Sequence, residues 1–187
     1  MSEATALVLV DLQTAAFDGL GIPPVHGSDL LLRNVRALLQ AARASGLPVV
    51  HIQHCARPGE VFAEGAPGWP IFAPVAPEGS EPVVRKRASD AFEGTDLHAR
   101  LQEIGVRRLV VAGIQTEHCV AATCRGALRL GYAVHLAEDG HSTWPDEPRS
   151  AGEIMAAESA ALEAQGVTLR STEDLLDLLR SRRLGDP

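Results

Sequence analysis

The sequence predicts an α/β fold, a three-layer Rossmann-like domain with a six-stranded, mostly parallel sheet flanked by helices. Three observations lead there. Short apolar runs rich in β-branched residues recur along the chain, as in strands buried on both faces. Segments of helical periodicity separate most of them, which implies βαβ units. The 187 residues suit one domain, taken as residues 1–187, with one well-developed core.

The first run, 6–10, is wholly apolar and reads as the first strand. Ser28 or Asp29 can then cap a helix in which Leu31, Leu32, Val35, Leu38, Leu39 and Ala42 repeat at helical spacing up to Gly46. Further strands are expected at 48–52, 82–84, 108–112, 133–136 and 167–169, with helices at 95–104, 117–130, 149–165 and 172–179. Residues 55–82 are the exception. Proline and glycine crowd there, and so long a connection is either functional or a surface excursion packed by Trp69 and Phe72.

Composition narrows the function classes. A net charge of -7 with only short basic runs, at 85–87 and 180–183, argues against nucleic-acid binding. No apolar stretch approaches a membrane span, and the N-terminus lacks the pattern of a signal peptide. Cys55, Cys119 and Cys124 are odd in number and form no C-x-x-C pair, which favours free thiols and a cytoplasmic setting over a disulfide framework.

In parallel sheets, ligands bind beyond the carboxyl ends of strands, so reactive side chains there carry the functional signal. Asp11 follows the first strand, Lys86 the third, and Cys119 the fourth, close to a helix start. Each also fits a plainer role. Asp11 suits a turn or cap, Lys86 a solvated cation, and Cys119 a small core residue. Strand alternation sets Lys86 on the opposite side from Arg85 and Arg87. A helix N-terminus would favour the Cys119 thiolate and lower its pKa. Cys124 faces elsewhere on that helix and reads as core, as does Cys55.

Three ordered segments resemble a known family. Val8-Leu9-Val10-Asp11-Leu12-Gln13, Val84-Arg85-Lys86-Arg87-Ala88-Ser89-Asp90-Ala91-Phe92 and Gly113-Ile114-Gln115-Thr116-Glu117-His118-Cys119-Val120 are similar to those of the isochorismatase-like cysteine hydrolases. Gly94-Thr95-x-Leu97 and Gly131-Tyr132 fit as well. The resemblance implies an Asp-Lys-Cys triad at Asp11, Lys86 and Cys119. It also implies a non-proline cis peptide at Ile114-Gln115, aiming the Gln115 N–H, with that of Cys119, at a developing oxyanion. Cleavage of a C–N bond in a small amide, carbamoyl, ureido or lactam substrate through a Cys119 thioester is the expected chemistry. The alternatives are an isochorismatase-type vinyl-ether hydrolase and a non-enzymatic small-molecule binder retaining the fold.

Nicotinamidases of that family hold zinc through an Asp-x-His element after the second strand. Here His54 and Ala56 take those two places, and His51 and His54 point to opposite strand faces. No metal and no cofactor are therefore expected. Gln13, Phe17, His54, Trp69, His118 and Trp144 are candidate substrate contacts, with Gln13 better suited to orienting backbone. The resemblance further suggests a homo-oligomer, a dimer or tetramer, with segment 55–82 or 149–165 at the interface.

Overall fold

A computed structural model describes residues 4–181; Met1 to Glu3 and Arg182 to Pro187, including part of the last basic run, lie outside the described residues. Six strands form one sheet: β1 (Ala4–Val10), β2 (Val49–His54), β3 (Val83–Lys86), β4 (Val106–Ile114), β5 (Ala133–Ser142) and β6 (Thr168–Arg170). Their order is β3-β2-β1-β4-β5-β6, and every neighbouring pair is parallel. The chain winds outward from β1 in one direction and from β4 in the other. The β1–β4 boundary is thus the switch point where connections diverge and a crevice opens.

Alternation along the strands divides the core in two. Val8, Val10, Leu109 and Val111 pack beneath α3 (Leu97–Glu103), α4 (Ala121–Arg129) and α5 (Ala151–Ala164). Leu7, Leu9, Val110 and Ala112 pack beneath α2 (Ser28–Ala44) and α6 (Thr172–Ser181). On α2 the buried residues Leu31, Val35, Leu38, Leu39 and Ala42 form the stripe that its spacing predicts. Ser150 and Glu153 close a reciprocal capping box at the start of α5.

Several boundaries depart from expectation. A short helix, α1 (Ala15–Asp18), follows β1. Neither Ser28 nor Asp29 caps α2; Gly27 precedes it in the left-handed region at φ 59°. The third strand reaches Lys86 instead of ending at Val84. The expected helix over 117–130 begins as a π-helical turn, Thr116–Val120, before α4. Such turns are frequent at functional sites. The fifth strand runs on to Ser142, with a register irregularity opposite β4 between Val111 and Gly113.

Register aligns the strand ends beneath the site. Val10 pairs with Ile52 on one side and Gly113 on the other, while His54 pairs with Lys86. Gly113 makes the tight β1–β4 approach possible. It sits at φ 134°, and a Cβ there would lie 2.1 Å from the Val10 carbonyl oxygen. Asp11 and Gln115 therefore emerge side by side from adjacent strands.

Candidate active site

Asp11 leaves β1 in the left-handed conformation at φ 52°, unusual for a non-glycine residue but better tolerated by Asp than by most. Its N–H donates to the Ile52 carbonyl at 3.0 Å, so β2 fixes the turn. The carboxylate is thereby directed to Lys86, whose Nζ lies 2.8 Å from Asp11 Oδ2. The other oxygen, Oδ1, is buried without a hydrogen-bond partner.

Lys86 is 1% exposed, although arginines flank it on both sides. The exposed–buried–exposed–buried pattern of β3 turns it inward as alternation requires. Its ammonium donates to Cys119 Sγ at 3.0 Å and to the Ala88 carbonyl at 3.1 Å. Burial pushes the Lys86 pKa down, but Asp11 and then Cys119 more than offset it, leaving the pKa raised and the group charged.

Cys119 projects from the π-helical turn after β4. Burial first, and the neighbouring Asp11 carboxylate second, push its thiol pKa up to about 12, against the opposing pull of Lys86. This corrects the expectation of a dipole-stabilised thiolate. The residue does not sit at the first turn of an α-helix, and burial beside an anion outweighs backbone dipoles. The resting site at neutral pH pairs a protonated thiol with a carboxylate, bridged by an ammonium. Cys124 is fully buried in the core beneath α4, and Cys55 is buried as well.

Two side-chain chains brace the turn that carries Cys119. Thr116 Oγ1 hydrogen-bonds His141 Nδ1 at 2.8 Å, and His141 Nε2 lies 3.2 Å from Ser159 Oγ on α5. Burial drives the His141 pKa down to about 4, so the imidazole is neutral. On the other side Gln115 Nε2 donates to Thr143 Oγ1 at 3.3 Å, which donates to Glu117 Oε1 at 2.9 Å. The Ile114-Gln115 peptide is cis.

A cavity of about 240 Å³ opens over this floor. Asp11, Cys119, Gln115, Gln13, His54, His118 and Trp144 line it, together with Phe62, Ser89 and Ile114. Gln13 has no exposed surface. Its amide donates to the His54 and Trp69 carbonyls at 3.1 and 2.7 Å and accepts from the His54 N–H at 2.9 Å, tying β2 to the long loop. Trp144 is anchored by its indole N–H on the Pro23 carbonyl at 2.7 Å.

Phe17 and Trp69 are not among the lining residues. Phe17 stacks on Phe72 at 4.8 Å between ring centroids, and Trp69 lies beneath the Arg85 guanidinium at 4.8 Å. Both aromatic rings thus have packing partners outside the set of lining residues. Phe62 takes the aromatic place in the wall instead. It comes from the proline- and glycine-rich loop, where no periodicity marks an inward position. Ser89 was visible only as part of the Lys86 motif. His51 turns from the cavity and bonds Glu81 at 2.9 Å. Among the described residues, no three His, Cys, Asp or Glu side chains converge to hold a metal ion, and no helix is long and apolar enough to cross a membrane.

The chain is similar to known proteins in both sequence and fold. The model of the Isochorismatase domain matches residues 5–174. Two streptothricin hydrolases of Streptomyces noursei are each 43% identical over 157 residues, covering 83% of this chain. The chain spans only 56% and 62% of their lengths. A ureidoacrylate amidohydrolase of Agrobacterium fabrum is 28% identical over 177 residues, covering 76% of this chain and 78% of its own. A solved protein of the isochorismatase family from Chromobacterium violaceum superposes with a TM-score of 0.86 at 36% identity, covering 96% of this chain and 95% of its own.

Proposed function

The chain belongs to the isochorismatase family of hydrolases, and from that premise we propose that it cleaves a C–N bond of a small amide, carbamoyl, ureido or lactam substrate through a thioester on Cys119. One observation carries the reading: a single buried ammonium, Lys86 Nζ, holds Asp11 at 2.8 Å and Cys119 Sγ at 3.0 Å on the floor of the cavity. The names of the streptothricin hydrolases and the ureidoacrylate amidohydrolase, two kinds of relative, support hydrolysis of this class.

The steps follow from the protonation states. With its thiol pKa near 12, Cys119 needs a base at the moment of attack. Asp11 takes the thiol proton as sulfur adds to the carbonyl carbon, and Lys86 stabilises the charge passing between them. The backbone N–H groups of Gln115 and Cys119 receive the oxyanion. The tetrahedral adduct collapses, Asp11 returns the proton to the departing nitrogen, and a thioester remains. Asp11 then deprotonates water, which adds to the thioester. Collapse of that adduct releases the acid, and the proton on Asp11 returns to sulfur.

Cys119→Ala tests the proposal directly. It removes one partly buried sulfur and leaves the Asp11–Lys86 pair, so the protein should fold while turnover of a small-amide panel falls by about 10⁴ or more. Full retention of hydrolysis by a folded Cys119→Ala variant would falsify the reading.

A further inference from the structure

Among the described residues, the cavity over Cys119 offers no free cation to a ligand. Asp11 is the one carboxylate in its lining among the described residues, and Lys86 holds its Oδ2. An ammonium has three N–H donors. Those of Lys86 go to Asp11 at 2.8 Å, Cys119 at 3.0 Å and the Ala88 carbonyl at 3.1 Å, and none is left for a second anion. Lys86 is the single lysine of the sequence, and among the described residues no arginine lines the cavity. Arg85, one position before Lys86, points away to Trp69 and to Glu64 at 2.9 Å.

The two imidazoles do not supply the missing cation. Burial, and then the nearby Lys86 charge, hold the His54 pKa below its ordinary value, so its ring stays neutral. His118 lies at the exposed mouth with Nε2 3.8 Å from Glu117 Oε1, so a carboxylate already stands beside its ring. What remains for a ligand is neutral chemistry: the Ser89 hydroxyl, the Gln115 amide and the His54 ring, between walls of Phe62, Ile114 and Trp144. At about 240 Å³ the space lies below the usual range of small-molecule pockets.

We infer that the acyl half of the substrate, the part that enters this cavity and becomes bonded to Cys119, is small and carries no negative charge, so that acyl groups bearing a carboxylate are excluded. The inference rests on the reading of Cys119 as nucleophile. Its physical basis is desolvation: a carboxylate brought into this space leaves water and finds no cation or spare ammonium donor in return. The leaving half, outside the mouth, is under no such constraint.

Iodoacetamide and iodoacetate test the charge rule without any substrate. Each forms a sulfur–carbon bond to the thiolate with loss of iodide, and the two differ in charge at the group entering the cavity. The whole protein is treated with each at one pH, and peptide mass spectrometry follows Cys119 alone. Each rate is divided by the same reagent's rate at Cys119 in the urea-unfolded chain, which cancels intrinsic reactivity. The normalised rate for iodoacetamide should exceed that for iodoacetate by about tenfold or more. Equal rates, or a preference for iodoacetate, overturn the inference. Failure of the underlying reading looks different: amide hydrolysis would survive in Cys119→Ala, whatever the alkylation ratio.

Discussion

Replacing Lys86 with Met removes the ammonium and keeps an unbranched chain of similar length. The Lys86 side chain is 0% exposed and that of Asp11 7%, so water cannot take over the lost role. Asp11 then has neither its 2.8 Å partner at Oδ2 nor any partner at Oδ1. Breaking a buried pair from one side costs about 3–5 kcal/mol. The stranded carboxyl has one escape, taking up a proton, and for an ordinary carboxyl at pH 7 that costs about 4 kcal/mol. The two routes agree at about 4 kcal/mol. A buried carboxyl without its cation favours the protonated form more in the folded than in the unfolded chain, so the penalty grows as pH rises. Between pH 7 and pH 5 the cost should shrink by up to about 2.7 kcal/mol. Urea unfolding of wild type, Lys86→Met, Asp11→Asn and the double variant measures this. The double variant should recover about half of the Lys86→Met loss or more, because Asn needs no counter-charge. A Lys86→Met cost below about 1 kcal/mol at pH 7, or one that is flat from pH 5 to pH 7, refutes the buried ion pair.

Other perturbations probe the framework around the site. A Cβ at Gly126 would lie 2.4 and 2.5 Å from the Asp90 carboxylate oxygens, which are held by the Phe92 N–H and Arg129. Gly126→Ala should therefore shift the loop carrying Ala88 and Ser89, costing about 1–3 kcal/mol in unfolding experiments and lowering kcat/KM. Adding Asp90→Ala should relieve the stability loss, and a variant as stable as wild type contradicts the crowding. His141, with a folded pKa of about 4 against an unfolded value near 6.5, binds its proton more weakly when folded. Stability from this group is complete above about pH 6.5 and falls by up to about 3 kcal/mol as pH drops towards 4; His141→Gln should flatten that loss in denaturation profiles. Alkylation of Cys119 by iodoacetamide should rise about tenfold per pH unit between pH 7 and 9, as expected for a thiol titrating far above that window. A plateau below pH 8 would mean a resting thiolate instead.

Much of the architecture is legible in local pattern. The apolar run of β1 and the helical stripe of α2 carry enough periodicity to place both, and the ordered segments around Asp11, Lys86 and Cys119 point to one edge of one sheet. Lys86 is the clearest case, since alternation alone separates it from two flanking arginines. Less visible is whatever depends on partners distant in sequence. Thr116 to Val120 read equally well as a first helical turn, and its π-helical form accompanies contacts with His141, which no local pattern announces. The raised Cys119 pKa is hidden from local pattern for a related reason. A helix dipole is a local feature, whereas burial beside Asp11 arises only once β1 and β4 are neighbours. Phe62 reached the cavity wall from a loop without periodicity, while Phe17 and Trp69, better placed on paper, were taken by Phe72 and Arg85.

The central claim is that sulfur of Cys119 bonds to the substrate's acyl carbon. Intact-protein and peptide mass spectrometry after rapid acid quenching of the full chain with a turned-over small amide tests it most directly. The acyl mass should appear on the peptide containing Cys119, stay absent from Cys55 and Cys124, and decay when substrate is exhausted. Steady turnover of the same amide, with no Cys119 adduct at any quench time and undiminished in Cys119→Ala, would contradict it.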